Sequence, residues 1–159
     1  MDTMTPSTLE GAALEAWRSY LQSHASIVRV LDAELVAEHG MTTRDYEVLL
    51  YLAQADANQL AMSALAERTM LTRSGITRLV DGLVQAGWIE RVACPNDARV
   101  SYAQLTDGGY AKLREAGCSH VTSIHRLFLE HFTPQEIDQL ASLLRRLPGA
   151  AAEGSCTVE

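Results

Sequence analysis

Cysteine, proline, phenylalanine and lysine are all scarce: three, four, two and one respectively among 159 residues. Cys94, Cys118 and Cys156 are odd in number with no close pair. A disulfide framework is therefore not expected, and a reducing compartment is the simpler setting. No stretch approaches the roughly 18 apolar residues of a membrane span, and Met1-Asp2-Thr3-Met4-Thr5-Pro6 lacks the basic segment and apolar run of a signal peptide. The expectation is a cytoplasmic protein with no membrane contact. Catalytic signatures are also missing: there is no Gly-x-Ser-x-Gly, P-loop, His-Glu-x-x-His or Gly-x-Gly-x-x-Gly, so neither enzyme chemistry nor a cofactor is expected. A global positive field is lacking as well, since 13 basic residues against 20 acidic ones leave −7. Any contact with nucleic acid must be local.

What is present is an ordinary globular composition, 47% hydrophobic and 21% charged, at the length of a single domain over residues 1–159. The charge is unevenly spread. Ser63 to Thr106 carries five arginines against four acids, whereas the remainder holds eight basic residues against sixteen acids. Twelve of the thirteen basic residues are arginine, the side chain best shaped for phosphate and base edges. The middle of the chain is where an anionic partner would bind.

Leu14, Trp17, Leu21, Val28, Leu31 and Leu35 recur in alternating steps of three and four, with His24 filling the gap. This predicts one helix from about Leu9 to His39, roughly 45 Å long, ended by Gly40. Thr42 and Asp45 open a second helix reaching about Ala55, and Asp56-Ala57-Asn58 reads as a turn. A short helix runs from near Ser63 to Met70, and Thr72 caps another to about Ala86. Trp88–Val92 and Val100–Leu105 read as two strands joined by the turn Cys94-Pro95-Asn96-Asp97-Ala98. Thr106-Asp107 caps a long helix with Val121, Ile124, Phe128 and Phe132 on one face. Thr133-Pro134-Gln135-Glu136 starts a last helix burying Ile137, Leu140, Leu144 and Leu147, and residues 149–159 form a loose tail.

Helix, turn, helix and hairpin in that order describe a winged helix-turn-helix lobe over 42–106, so the fold class is mainly α with a small β wing. On the second helix of the motif, Ile76, Leu79, Val80 and Leu83 form the core stripe. Arg73, Ser74, Thr77 and Arg78 lie off it beside the cap Thr72. Arginine can bond guanine bidentately and hydroxyls can reach phosphates; the bland alternative is a solvated helix face. At the hairpin, Arg99 can enter a narrow minor groove, where Asp97 would be poorly placed against phosphate unless it pairs with an arginine and aims it; the alternative is a surface ion pair worth little. The helices at 8–39 and 107–148 leave apolar faces that the lobe is too small to cover, so a second copy is the economical cover.

These residues resemble the MarR-type transcriptional regulators. The resemblance rests on Leu65-Ala66-Glu67-Arg68, Ile76-Thr77-Arg78-Leu79-Val80-Asp81-Gly82-Leu83, Gly87-Trp88-Ile89-Glu90-Arg91, Asp97-Ala98-Arg99 and Leu105-Thr106-Asp107-Gly108-Gly109. It implies a homodimer with interdigitating terminal helices, a repressor or occasionally an activator acting on double-stranded DNA, and a small aromatic or phenolic effector held between arms and lobe. Many relatives carry a more basic wing than Cys94-Pro95-Asn96, which implies weaker non-specific affinity here. A winged-helix module binding protein rather than DNA is the competing reading.

Trp17, Tyr20, His24 and Tyr46 are the candidates for an effector pocket, with an interface role for His24 and a core role for Trp17 and Tyr20 as the alternatives. No metal site is expected: His120 and His131 share a helix face about three turns apart and His125 points elsewhere. Cys94 lies near Arg91, which would favour the oxidation-prone thiolate and make redox sensing conceivable, while Cys118 reads as buried filler.

Overall fold

The computed structural model describes residues 8–94 and 97–149, apart from the Ala98 side chain. The expected tail beyond Gly149, Cys156 and the hairpin tip Pro95-Asn96 lie outside the described residues. Helix α1 spans Gly11–His39, 29 residues, and stops at Gly40, whose φ of 66° is one that glycine adopts without a steric penalty. Helix α2 (Thr43–Ala53) begins with the cap expected at Thr42, which Asp45 makes reciprocal by accepting from the Thr42 backbone N–H. After a 3-10 turn at Asp56–Asn58 comes a strand that the sequence reading lacked, β1 (Gln59–Ala61), followed at once by α3 (Met62–Arg68). Thr72 accepts a hydrogen bond from the Gly75 amide and starts α4 (Arg73–Gln85).

Strands β2 (Ile89–Cys94) and β3 (Asp97–Leu105) form the hairpin, and β1 joins the other edge of β3 to give the antiparallel order β1-β3-β2. The hairpin is longer than the sequence implied. Asp97, expected in the turn, already pairs with Cys94 after a register shift.

Helix α5 runs Asp107–Leu127 and α6 runs Pro134–Leu144. The expectation that Phe128 and Phe132 continue one face of α5 is corrected here. Phe128 leaves the helix at φ −132°, ψ −61°, and a 3-10 turn follows at Leu129–His131. Pro134 disfavours helical geometry at Thr133, and the cap holds Thr133 extended, so the helix must end earlier. The break sets the Phe128 ring edge-on to Phe132, 5.5 Å between centroids. It also takes His131 off the helix face it was to share with His120.

One apolar core joins the elements. Leu35, Met41, Leu49, Leu52, Leu65, Ile76, Val80, Leu83, Ile89 and Leu113 meet in it, and the stripe predicted on α4 is the stripe that is buried. Leu79 packs at its margin. The two ends of the chain differ. Upstream of Leu31, α1 has no buried residue, and neither does α6. Ile137, Leu140 and Leu144 are only partly buried and Leu147 is exposed, short of their expected burial, because the described residues of one chain cover that face incompletely.

Candidate nucleic-acid interface

Thr72, Arg73, Ser74, Thr77 and Arg78 line a single shallow concavity at the start of α4. The cap determines its shape: Thr72 Oγ1 accepts the Gly75 N–H at 3.1 Å and lies 3.2 Å from Ser74 Oγ, while the Thr77 hydroxyl donates to the Arg73 carbonyl at 2.8 Å. Among the described residues no carboxylate pairs with Arg73, Arg78 or Arg99. Unpaired guanidinium groups beside an open helix N-terminus leave fixed positive charge for an anionic surface. On the wing, Asp97 does not grip the Arg99 guanidinium. Its Oδ1 accepts the Arg99 backbone N–H at 3.0 Å, so the aspartate fixes the strand and leaves the arginine side chain outside.

Residues 39–100 match the sequence model of the MarR family. The transcriptional regulator PecS of Dickeya dadantii is 30% identical over 122 residues, 76% of this chain and 72% of that protein. The transcriptional repressor YetL of Bacillus subtilis is 26% identical over 140 residues, 88% of this chain and 83% of that one. Among solved structures, the MarR family transcriptional regulator Sco3205 of Streptomyces coelicolor, in complex with DNA, superposes with a TM-score of 0.84 at 31% identity, covering 91% of this chain and 90% of that one.

This chain belongs to the MarR family. It is a transcriptional regulator and not an enzyme.

The four residues nominated for an effector pocket fall into two places in this MarR-family chain. Trp17, Tyr20 and His24 run along the exposed upper part of α1, with ring centroids 6.4 and 6.3 Å apart. Tyr46 is buried in the lobe, its ring 4.6 Å from that of His120 on α5. The sequence offers that histidine only as a metal ligand, and a poor one. It lies with Leu31, Glu34, Leu35, Glu38, Ser119 and Ser123 in the crevice between α1 and α5, a meeting of residues some ninety positions apart that no local pattern reveals.

Burial pushes the His120 imidazole below its ordinary value, and its Nδ1 has no hydrogen-bond partner. The unfolded chain takes up this proton near pH 6.5, whereas the folded one takes it up only at lower pH, so stability is lost as pH falls through that interval. Thermal melts between about pH 7.5 and 5.5 should therefore fall less in His120→Gln than in the parent chain. Equal slopes would remove His120 from the account. Nearby, the Ser123 hydroxyl and then the Arg126 guanidinium hold the Glu34 carboxyl below its ordinary value, fastening α1 to α5.

The cysteine expectations change. Cys118 is exposed on α5 rather than buried, since it falls on the side of the helix that the lobe does not cover. Arg91 is not turned to Cys94; its guanidinium is 2.7 Å from Asp81 Oδ1.

Proposed function

We propose that this MarR-family regulator binds a palindromic operator in double-stranded cytoplasmic DNA as a homodimer, represses transcription from it, and is released by a small aromatic or phenolic ligand. The observation that carries the reading is the concavity of Thr72, Arg73, Ser74, Thr77 and Arg78, with Arg99 exposed on the adjoining wing. A helix N-terminus bearing hydroxyls and two unpaired arginines suits the major groove, and a wing arginine suits the narrow minor groove. The lobe at 42–106 reads the duplex in this proposal. The helices at 8–39 and 107–148 dimerise, supported by exposed Trp17, Leu21, Val28, Val121, Leu143 and Leu147. The naming of YetL as a repressor supports the sign of regulation. The effector rests on the family resemblance, with Trp17, Tyr20, His24 and Tyr46 as its candidate contacts, a set that is not gathered within one chain.

The test is selection from a pool of random duplexes, followed by substitution. Arg99→Ala should weaken binding to the selected duplex at least about tenfold while sedimentation shows the same assembly. Unchanged affinity at moderate salt would take the wing out of the interface. Arg73→Ala and Arg78→Ala should relax base preference if the side chain reads a base, or reduce the salt slope by about one if it holds a phosphate. No effect from either would mean that α4 does not enter the groove.

A further inference from the structure

Asp81 and Arg91 stand in two of the segments that carry the family resemblance, yet neither lies in the concavity at the start of α4. The fold brings them together. Arg91 on β2 donates through Nη2 to Asp81 Oδ1 on α4 at 2.7 Å, and the same nitrogen lies at the longer distance of 3.5 Å from the main-chain oxygen of Thr77. Thr77 lines the concavity proposed to meet DNA. A single guanidinium thus joins the first strand of the wing to the helix that would read the major groove. Resting on the DNA-binding reading above, we propose that Arg91 and Asp81 are positioning residues: the pair sets the angle between wing and recognition helix, so that both reach their grooves at once.

Magnitudes favour a positioning role over a stabilising one. The two side chains are 34% and 54% exposed, and exposed ion pairs contribute little to folding. The lobe has its own cement at this junction in Ile76, Val80, Leu83 and Ile89, all buried. Apolar contact is non-directional, however, and leaves the tilt of a two-stranded ribbon on a helix poorly defined. A charged hydrogen bond from a planar guanidinium is directional, and a lysine would lack that planar geometry. Because the ribbon is a lever, a small error at Arg91 grows towards Arg99. The pair also cancels the carboxylate that Asp81 would otherwise hold near phosphates.

The rival is that Arg91 grips a phosphate and pairs with Asp81 only when DNA is absent. Both are tested on one probe, a duplex of about 30 base pairs selected from a random pool by the unsubstituted protein, with hydroxyl-radical protection read base by base. If the pair positions the wing, Arg91→Gln and Asp81→Ala should each weaken binding about tenfold and erase protection where the wing meets the minor groove, leaving the major-groove contacts and the melting temperature in place. The exchanged pair, Asp81→Arg with Arg91→Asp, should then restore protection. If Arg91 holds a phosphate, Asp81→Ala should bind at least as tightly as the parent chain with full wing protection, and that result overturns the proposal. Should the exchanged pair fail to fold, the Asp81→Ala footprint decides alone. A protein that retains no duplex from the pool overturns the DNA-binding reading and this proposal with it. Retention with an unaltered Asp81→Ala footprint overturns this proposal only.

Discussion

Gly109→Ala is expected to lower stability by about 3 kcal/mol and the melting temperature by about 10 °C. Gly109 is buried in the first turn of α5, where its N–H donates to the Thr106 cap at 3.0 Å. A Cβ built there would stand 2.0 Å from the Trp88 carbonyl oxygen, 2.9 Å from its carbon and 2.8 Å from Leu105 Cδ1. The oxygen has little freedom to retreat. It accepts the Thr106 N–H at 3.1 Å, while the Thr106 hydroxyl donates to Gly87 O at 2.7 Å. The start of α5 is therefore stitched to the entry of β2, and an added methyl must pull the stitch apart. Gly108→Ala is the control, since its nearest neighbours would be 3.5 and 3.6 Å away, an ordinary contact. It should shift stability by less than about 1 kcal/mol. Chemical denaturation of both variants separates the cases; a Gly109 variant as stable as its control would mean that α5 slides freely on the hairpin.

Replacing Leu21 and Val28 together by aspartate should dissolve the proposed dimer. The two lie one heptad apart on α1, 44% and 38% exposed in the single chain, above the point where Leu31 and Leu35 enter the core. In an isolated chain the substitutions would be nearly silent, because both positions already face solvent. Between two chains they would place unpaired carboxylates in a buried seam, at several kcal/mol each. Sedimentation at micromolar concentration should show lighter or unfolded species, and binding to the selected duplex should fail, since two half-sites need two helices held about 34 Å apart. A folded dimer that still binds would place the seam elsewhere, and the account of the terminal helices would have to be given up.

Helix starts were legible in the residues because a cap is a contact across three positions. Thr42 with Asp45, Thr72, Thr106, and Thr133 with Glu136 all close as their spacing implied. The buried stripe of α4 was legible for the same reason, since periodicity and burial share one repeat. Strand β1 was not: three residues, Gln59 to Ala61, carry no alternation to recognise and are extended because β3 offers them an edge at Tyr102–Gln104. The end of α5 was misread because the apolar spacing runs on through Phe128 and Phe132 while the backbone does not.

The candidate site divides along the same line. Arg73, Ser74, Thr77 and Arg78 could be named from the sequence because they flank a core stripe on one helix. The Arg91 and Asp81 contact spans ten positions and two kinds of element, and His39 to Ser119, 2.7 Å apart, spans eighty. Tyr46, a candidate effector contact, lies with its ring against His120 seventy-four positions away, a neighbour that local spacing does not reveal. Local order follows from interactions within about one turn of helix, which one-dimensional spacing encodes. The partners of polar side chains are chosen by how helices and strands pack, and packing brings distant residues to hydrogen-bonding distance without leaving a mark on the spacing of either.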